Sequence, residues 1–154
     1  MSSRLTPVQW SAVLGAVVVL AWSVPGLVVN PDFAVGHAAS SKIVLGVDMN
    51  GWHAVSGFLV AIPALWAATR AYRAALFVPF AATSLIATAI WALLSERPAA
   101  GLFYFPNRDT DAMLHVATSA IFLAGFAHYL VSRPRALRHV LNADVPDRRR
   151  SPRG

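Results

Sequence analysis

Apolar and polar positions along this chain fall into blocks. Four uncharged apolar stretches, at about 8–29, 51–69, 74–95 and 112–131, are separated by polar connections. Each holds about 19 to 22 residues, and a helix needs roughly 20 to cross the hydrocarbon of a bilayer. Lipid offers no partner for an exposed backbone N–H or C=O, so each span must satisfy its own groups as a helix, and four segments are too few for a closed barrel. The pattern therefore predicts an all-α fold, a four-transmembrane-helix antiparallel bundle. One membrane domain covers 1–131 and a basic tail follows over 132–154. The short link Ala71-Tyr72 makes the second and third spans antiparallel neighbours. Small residues four apart, Ser11 with Gly15, Gly57 with Ala61 and Ala120 with Ala124, mark places where helices can approach closely in lipid.

Composition agrees with this reading: 56% of residues are hydrophobic and 13% charged, far from the soluble average. There is no cysteine, which excludes disulfides, thiolate metal sites, cysteine-linked lipid anchors and cysteine nucleophiles together. A net charge of +6 raises the question of nucleic acid. The basic residues are not interleaved with aromatics, and most lie in the tail, so anionic lipid headgroups are the expected partner and nucleic acid is not.

Charge also orients the spans, because loops rich in Lys and Arg stay cytoplasmic. Arg4, Arg70, Arg73, Arg133, Arg135, Arg138, Arg148, Arg149, Arg150 and Arg153 fall on one side. The other side holds Lys42, Arg97 and Arg108 against Asp32, Asp48, Glu96, Asp109 and Asp111. The chain is thus expected to be a multi-pass protein of a bacterial inner (plasma) membrane with both termini cytoplasmic. Aromatic anchors fit the same topology, with Trp10, Trp66, Tyr72 and Tyr129 at the cytoplasmic boundary and Trp52, Trp91, Phe103, Tyr104 and Phe105 at the outer one. A rival reading makes the first span a cleaved signal peptide cut near Ala21-Trp22-Ser23. The apolar run is long for that, and Pro25 follows closely, so the span is expected to stay.

Twice a polar loop runs through acidic residues into a span that carries a histidine near its start. The first is Val47-Asp48-Met49-Asn50-Gly51-Trp52-His53, the second Arg108-Asp109-Thr110-Asp111-Ala112-Met113-Leu114-His115. Ionisable groups just inside a membrane are costly and often functional. The candidate cluster is accordingly Asp48, Asn50, His53, Asn107, Asp111 and His115. Aligning the two histidines also aligns Ser56 with Thr118 and Gly57 with Ser119, so the halves read either as duplicated helical hairpins or as a chance likeness of apolar sequence. If duplicated, both histidines sit at similar depth near the outer surface.

Asp48, Asn50, Asp109, Thr110 and Asp111 stand where helix N-caps are expected, a role worth about 0.5 to 2 kcal/mol each. For His53 and His115 the preferred reading is an interhelical or loop-tethering hydrogen bond. The alternative makes them axial ligands of a haem, or half of a metal site, with Gly57 and Ser119 as the small neighbours a macrocycle needs. His37 in the first outer loop is a candidate third ligand, although loop histidines are usually solvated. His128, thirteen residues after His115, belongs to the opposite interface.

Other chemistry finds little support. Asp48, His53 and Ser56 lack the Gly-x-Ser-x-Gly elbow of a serine hydrolase. No charged residue falls in the middle of a span, which argues against an ion-coupled transporter. In the tail, Leu137 and Leu141 would share one face of an expected short interfacial helix, and Arg133, Arg135, Arg138, Arg148, Arg149 and Arg150 are expected against lipid headgroups at about 1 kcal/mol each.

The entries to the second and fourth spans carry a family resemblance. Asn50, His53 and Gly57 form an Asn-x-x-His-x-x-x-Gly motif, and Asn107, Asp111 and His115 an Asn-x-x-x-Asp-x-x-x-His motif. In these, and over about residues 5 to 131, the chain resembles an uncharacterised family of small four-helix membrane proteins common in actinobacteria. Gly51 and Trp52 depart from an Asn-His-rich stretch expected there. The resemblance implies fold and membrane location and assigns no activity. The expectation is a non-enzymatic, structural or accessory membrane protein, alone or in a homo- or hetero-oligomer. The alternative is a haem- or metal-binding redox subunit using His53 and His115.

Overall fold

The helices begin and end where local chemistry satisfies their terminal backbone groups. In a computed structural model, which describes residues 5–95, 98–99, 101–105 and 109–132, α1 runs Pro7–Val29. Thr6 and Gln9 form a capping box at its start, and Pro7 supplies a first-turn residue with no N–H to satisfy. Helix α2 spans Gly51–Ala68, α3 Ala71–Leu94 and α4 Asp109–Ser132. All four are long and apolar enough to cross a membrane, and the chain is an all-α, four-span membrane protein.

Two helix starts differ from the sequence reading. Ala71 and Tyr72 belong to the first turn of α3, and the turn is Thr69-Arg70. The Arg73 guanidinium lies 4.3 Å above the Trp66 ring, so a charge near the helix end finds a partner without interrupting the helix. Helix α4 starts three residues before the apolar run, at Asp109, because Asp109 and Asp111 suit the positive end of a helix dipole.

Helix α1 packs mainly on α2 and α4, and α3 mainly on α4, while α2 and α4 stand diagonally across the bundle. Small residues allow this closeness. Phe122, fully buried, lies where a Cβ on Gly15 would be, and Ser23 of α1 fills the space beside Gly57 of α2. Ser119 donates to the Ala82 carbonyl and joins α4 to α3 (3.1 Å). Ala120 and Ala124, expected at a helix contact, instead face outward. Tyr129, expected as an interfacial anchor, packs in the core beside Val8, Val78 and Phe122. The face of α4 that meets its neighbours carries Thr118, Ser119, Phe122 and Tyr129.

One end of the bundle is closed by a cap that the apolar blocks did not predict. Strands β1 (Lys42–Val44) and β2 (Val47–Met49) pair antiparallel. Leu45 and Gly46 at their turn both have positive φ (50° and 84°), the backbone of a two-residue hairpin turn matched to strand twist. Buried Asn30, after α1, donates to the Ser40 and Met49 carbonyls. Asp32 accepts from the Ser40 hydroxyl and from the Ser40 and Ala34 amides. Those bonds, the Ser40 hydroxyl first, hold its carboxyl below the usual carboxylate range. Gly51 donates to the Asp32 carbonyl at 2.8 Å, an approach that a Cβ would obstruct. Trp52 donates to the Ala34 carbonyl and packs edge-on against Phe33 and Phe103, so it belongs to the cap's own aromatic cluster.

Candidate metal centre

Beneath this cap, His53 from α2 and Asp111 and His115 from α4 turn toward one another. Asp111 and His115 are four apart, so one face of α4 presents both. His53 is the third residue of α2 and Asp111 the third of α4, which places a carboxylate opposite an imidazole at matching helix positions. His53 Nε2 lies 3.2 Å and His115 Nε2 4.0 Å from Asp111 Oδ1, and the two imidazole centroids are 6.0 Å apart. One donor atom from each residue falls within 4.8 Å of the others.

The hydrogen bonds fix which atoms are free. His53 Nδ1 is 2.9 Å from the Asp48 carbonyl oxygen. A carbonyl can only accept, so Nδ1 carries the proton, and in the neutral imidazole the Nε2 lone pair points to Asp111. Metal-bound histidines are commonly oriented by such a bond from the other ring nitrogen. Asp111 Oδ1 and both ring nitrogens of His115 are buried and make no hydrogen bond. Buried polar atoms are nearly always paired, so three in one spot need an explanation. Two lone pairs facing each other at 3.2 Å need a positive species between them, a proton or a metal ion.

The remaining sequence candidates take other roles. Asn50 caps α2: its Oδ1 accepts from His53 N, and its Nδ2 donates to the Tyr104 carbonyl at 2.7 Å. Asp48 lies buried on β2 and gives His53 its backbone carbonyl. Thr110 donates to the Gly46 carbonyl and pins α4 to the hairpin turn. Asp111, placed by the sequence both among the cap residues and in the candidate cluster, is the acidic member of the site. His37 is exposed and leans on Tyr104, so the third donor is Asp111. His128 hydrogen-bonds Ser132 near the other end of α4. Asn107 lies outside the described residues, as do Arg133, Arg135, Arg138, Arg148, Arg149 and Arg150.

A cavity of about 170 Å³ adjoins the triad. Sites for drug-sized ligands start near 300 Å³, and a haem is no smaller. A bis-histidine haem would also have to lie between the two imidazoles, where Asp111 reaches 3.2 Å from one of them. The donor set fits a metal ion and does not fit a haem. In tetrahedral zinc sites with bonds of about 2.0 to 2.2 Å, ligand atoms stand about 3.3 to 3.6 Å apart. The His53–Asp111 separation of 3.2 Å is close to that, while His115 Nε2, 4.0 Å from Asp111 Oδ1, would have to close in on an ion.

A family described as Domain of unknown function (DUF4383) matches residues 9–128, well over half of the chain and all of the site. No curated protein and no solved structure matches it. The chain belongs to the DUF4383 family, whose description assigns no activity.

Proposed function

We propose that this DUF4383 membrane protein is a metal-binding protein, in which His53 Nε2, Asp111 Oδ1 and His115 Nε2 hold one divalent ion of the zinc or iron(II) class. The observation that carries the reading is the convergence of these three donors, with Asp111 Oδ1 3.2 Å from His53 Nε2 and both His115 nitrogens buried without a hydrogen bond. Two imidazoles and one carboxylate suit such ions. Calcium and magnesium favour oxygen alone, and copper(I) favours sulfur. Three protein ligands leave a coordination position open. The role proposed is non-enzymatic, with the metal joining α2 to α4.

Metal analysis of protein purified in mild detergent and supplied with zinc, iron(II) or cobalt(II) is expected to find one ion per chain. His53→Ala, Asp111→Asn and His115→Ala are each expected to lose it. A wild-type protein that binds none of these ions overturns the reading and leaves a proton-bridged tether between His53 and Asp111. We further place the capped end on the outer face of a bacterial plasma membrane, on the strength of the arginines at the other end. A C-terminal reporter active only outside the cytoplasm contradicts that placement.

A further inference from the structure

The open metal position and the cavity beside it belong to one space, and its walls describe what enters. Val19, Trp22, Val60, Leu85 and Leu114 make it largely apolar. Of the four wall hydroxyls, the three besides Ser23 are already committed as donors, Ser56 to the His53 carbonyl (2.7 Å), Thr88 to the Ser84 carbonyl (2.9 Å) and Thr118 to the Leu114 carbonyl (2.9 Å). Each therefore offers the cavity an acceptor lone pair and no proton. The space, about 170 Å³, is close to a 150 Å³ engineered cavity that holds benzene.

Access is equally constrained. Toward the capped end the triad is covered by buried Met49, by fully buried Asn50 and by the edge of Phe105, 6.1 Å from the His53 centroid. Thr88 on α3 is the exposed residue of the lining. It sits six residues before Leu94, the last residue of α3, about 9 Å below that end of the helix. Thr88 is thus the lining residue beside which a path from the hydrocarbon between helices would run. A charged or strongly hydrated molecule is excluded from that route by its desolvation cost.

We propose that the site takes a small lipid-soluble molecule bearing one hydroxyl on a single ring, a phenol, which enters beside Thr88. Its oxygen occupies the open metal position and its O–H faces the acceptor hydroxyls of the wall. The inference rests on the metal reading, since without the ion the oxygen has no seat.

The test uses full-length protein loaded with cobalt(II) in lipid nanodiscs and titrated with 4-fluorophenol, with fluorobenzene as the ring that lacks an oxygen. The visible cobalt bands are expected to shift saturably with the phenol and to stay unmoved with fluorobenzene. Thr88→Trp blocks that path at an exposed position that holds no metal ligand. It is expected to keep the cobalt spectrum and lose the phenol response. Bands unmoved by phenol, or moved equally in Thr88→Trp, overturn the inference while leaving the metal site standing. A protein that takes up no cobalt overturns the metal reading itself.

Discussion

Asn50 shows how much of the cap depends on a single side chain. Fully buried, it uses Oδ1 to cap α2 and Nδ2 to hold the Tyr104 carbonyl. Losing a cap costs about 0.5 to 2 kcal/mol, and stranding a buried carbonyl about 1 to 3. Asn50→Ala is therefore expected to destabilise the protein by about 1.5 to 5 kcal/mol, read as a shifted midpoint in denaturing-detergent titration. Asn50→Asp keeps the cap acceptor but sets a carboxylate oxygen against a carbonyl oxygen, so it is not expected to rescue. A full rescue by Asp would show that capping alone carries the effect and that the Tyr104 bond is idle. From sequence, Asn50 was legible as a cap, and Asp111 was placed both among the caps and in the candidate cluster. Both are short polar residues beside a helix start, and only the direction of the side chain separates them.

Elements were legible in proportion to their apolar length. Four runs of about 20 uncharged residues leave lipid-spanning helices as the only economical structure. Their ends were not legible, because hydropathy marks where charge begins and backbone chemistry marks where a helix begins. Arg73 lies inside α3 because Trp66 receives its guanidinium. Asp109 lies inside α4 because acids suit a first turn. That second shift separates the two roles the sequence offered for Asp111. With α4 starting at 112, Asp111 precedes the helix as a cap, and with the start at Asp109 it becomes the third helical residue, aimed at His53. The hairpin was missed for a different reason: its three-residue strands are too short for an alternating pattern to stand out. Leu45 and Gly46 form its turn, although Leu at a positive φ is uncommon. Asn there, the preferred partner of Gly in this turn, would have announced the hairpin.

Across the whole molecule the site stands where the bundle is least tied together. Helix α2 shares broad contact with α1 and less with α3, and α4 packs on α1 and α3, so α2 and α4 face each other only across the diagonal. Among the described residues their direct polar link is the approach of His53 to Asp111. An ion held by donors from both helices closes that diagonal, and because it binds only when the helices are docked, its binding energy adds to folded-state stability. Free metal at 100 times its dissociation constant contributes about 2.7 kcal/mol. Zinc-loaded protein is accordingly expected to melt at a higher temperature than chelator-treated protein, by a margin that grows with free zinc. The increment should vanish in His115→Ala, which removes a ligand already lacking hydrogen bonds. Should zinc stabilise wild type and His115→Ala equally, the ion is binding elsewhere. Should His115→Ala melt well below chelated wild type, the imidazole packs the bundle whether or not metal is present. The size of the zinc increment, compared between wild type and variant at one free-metal concentration, separates a ligand from a packing residue.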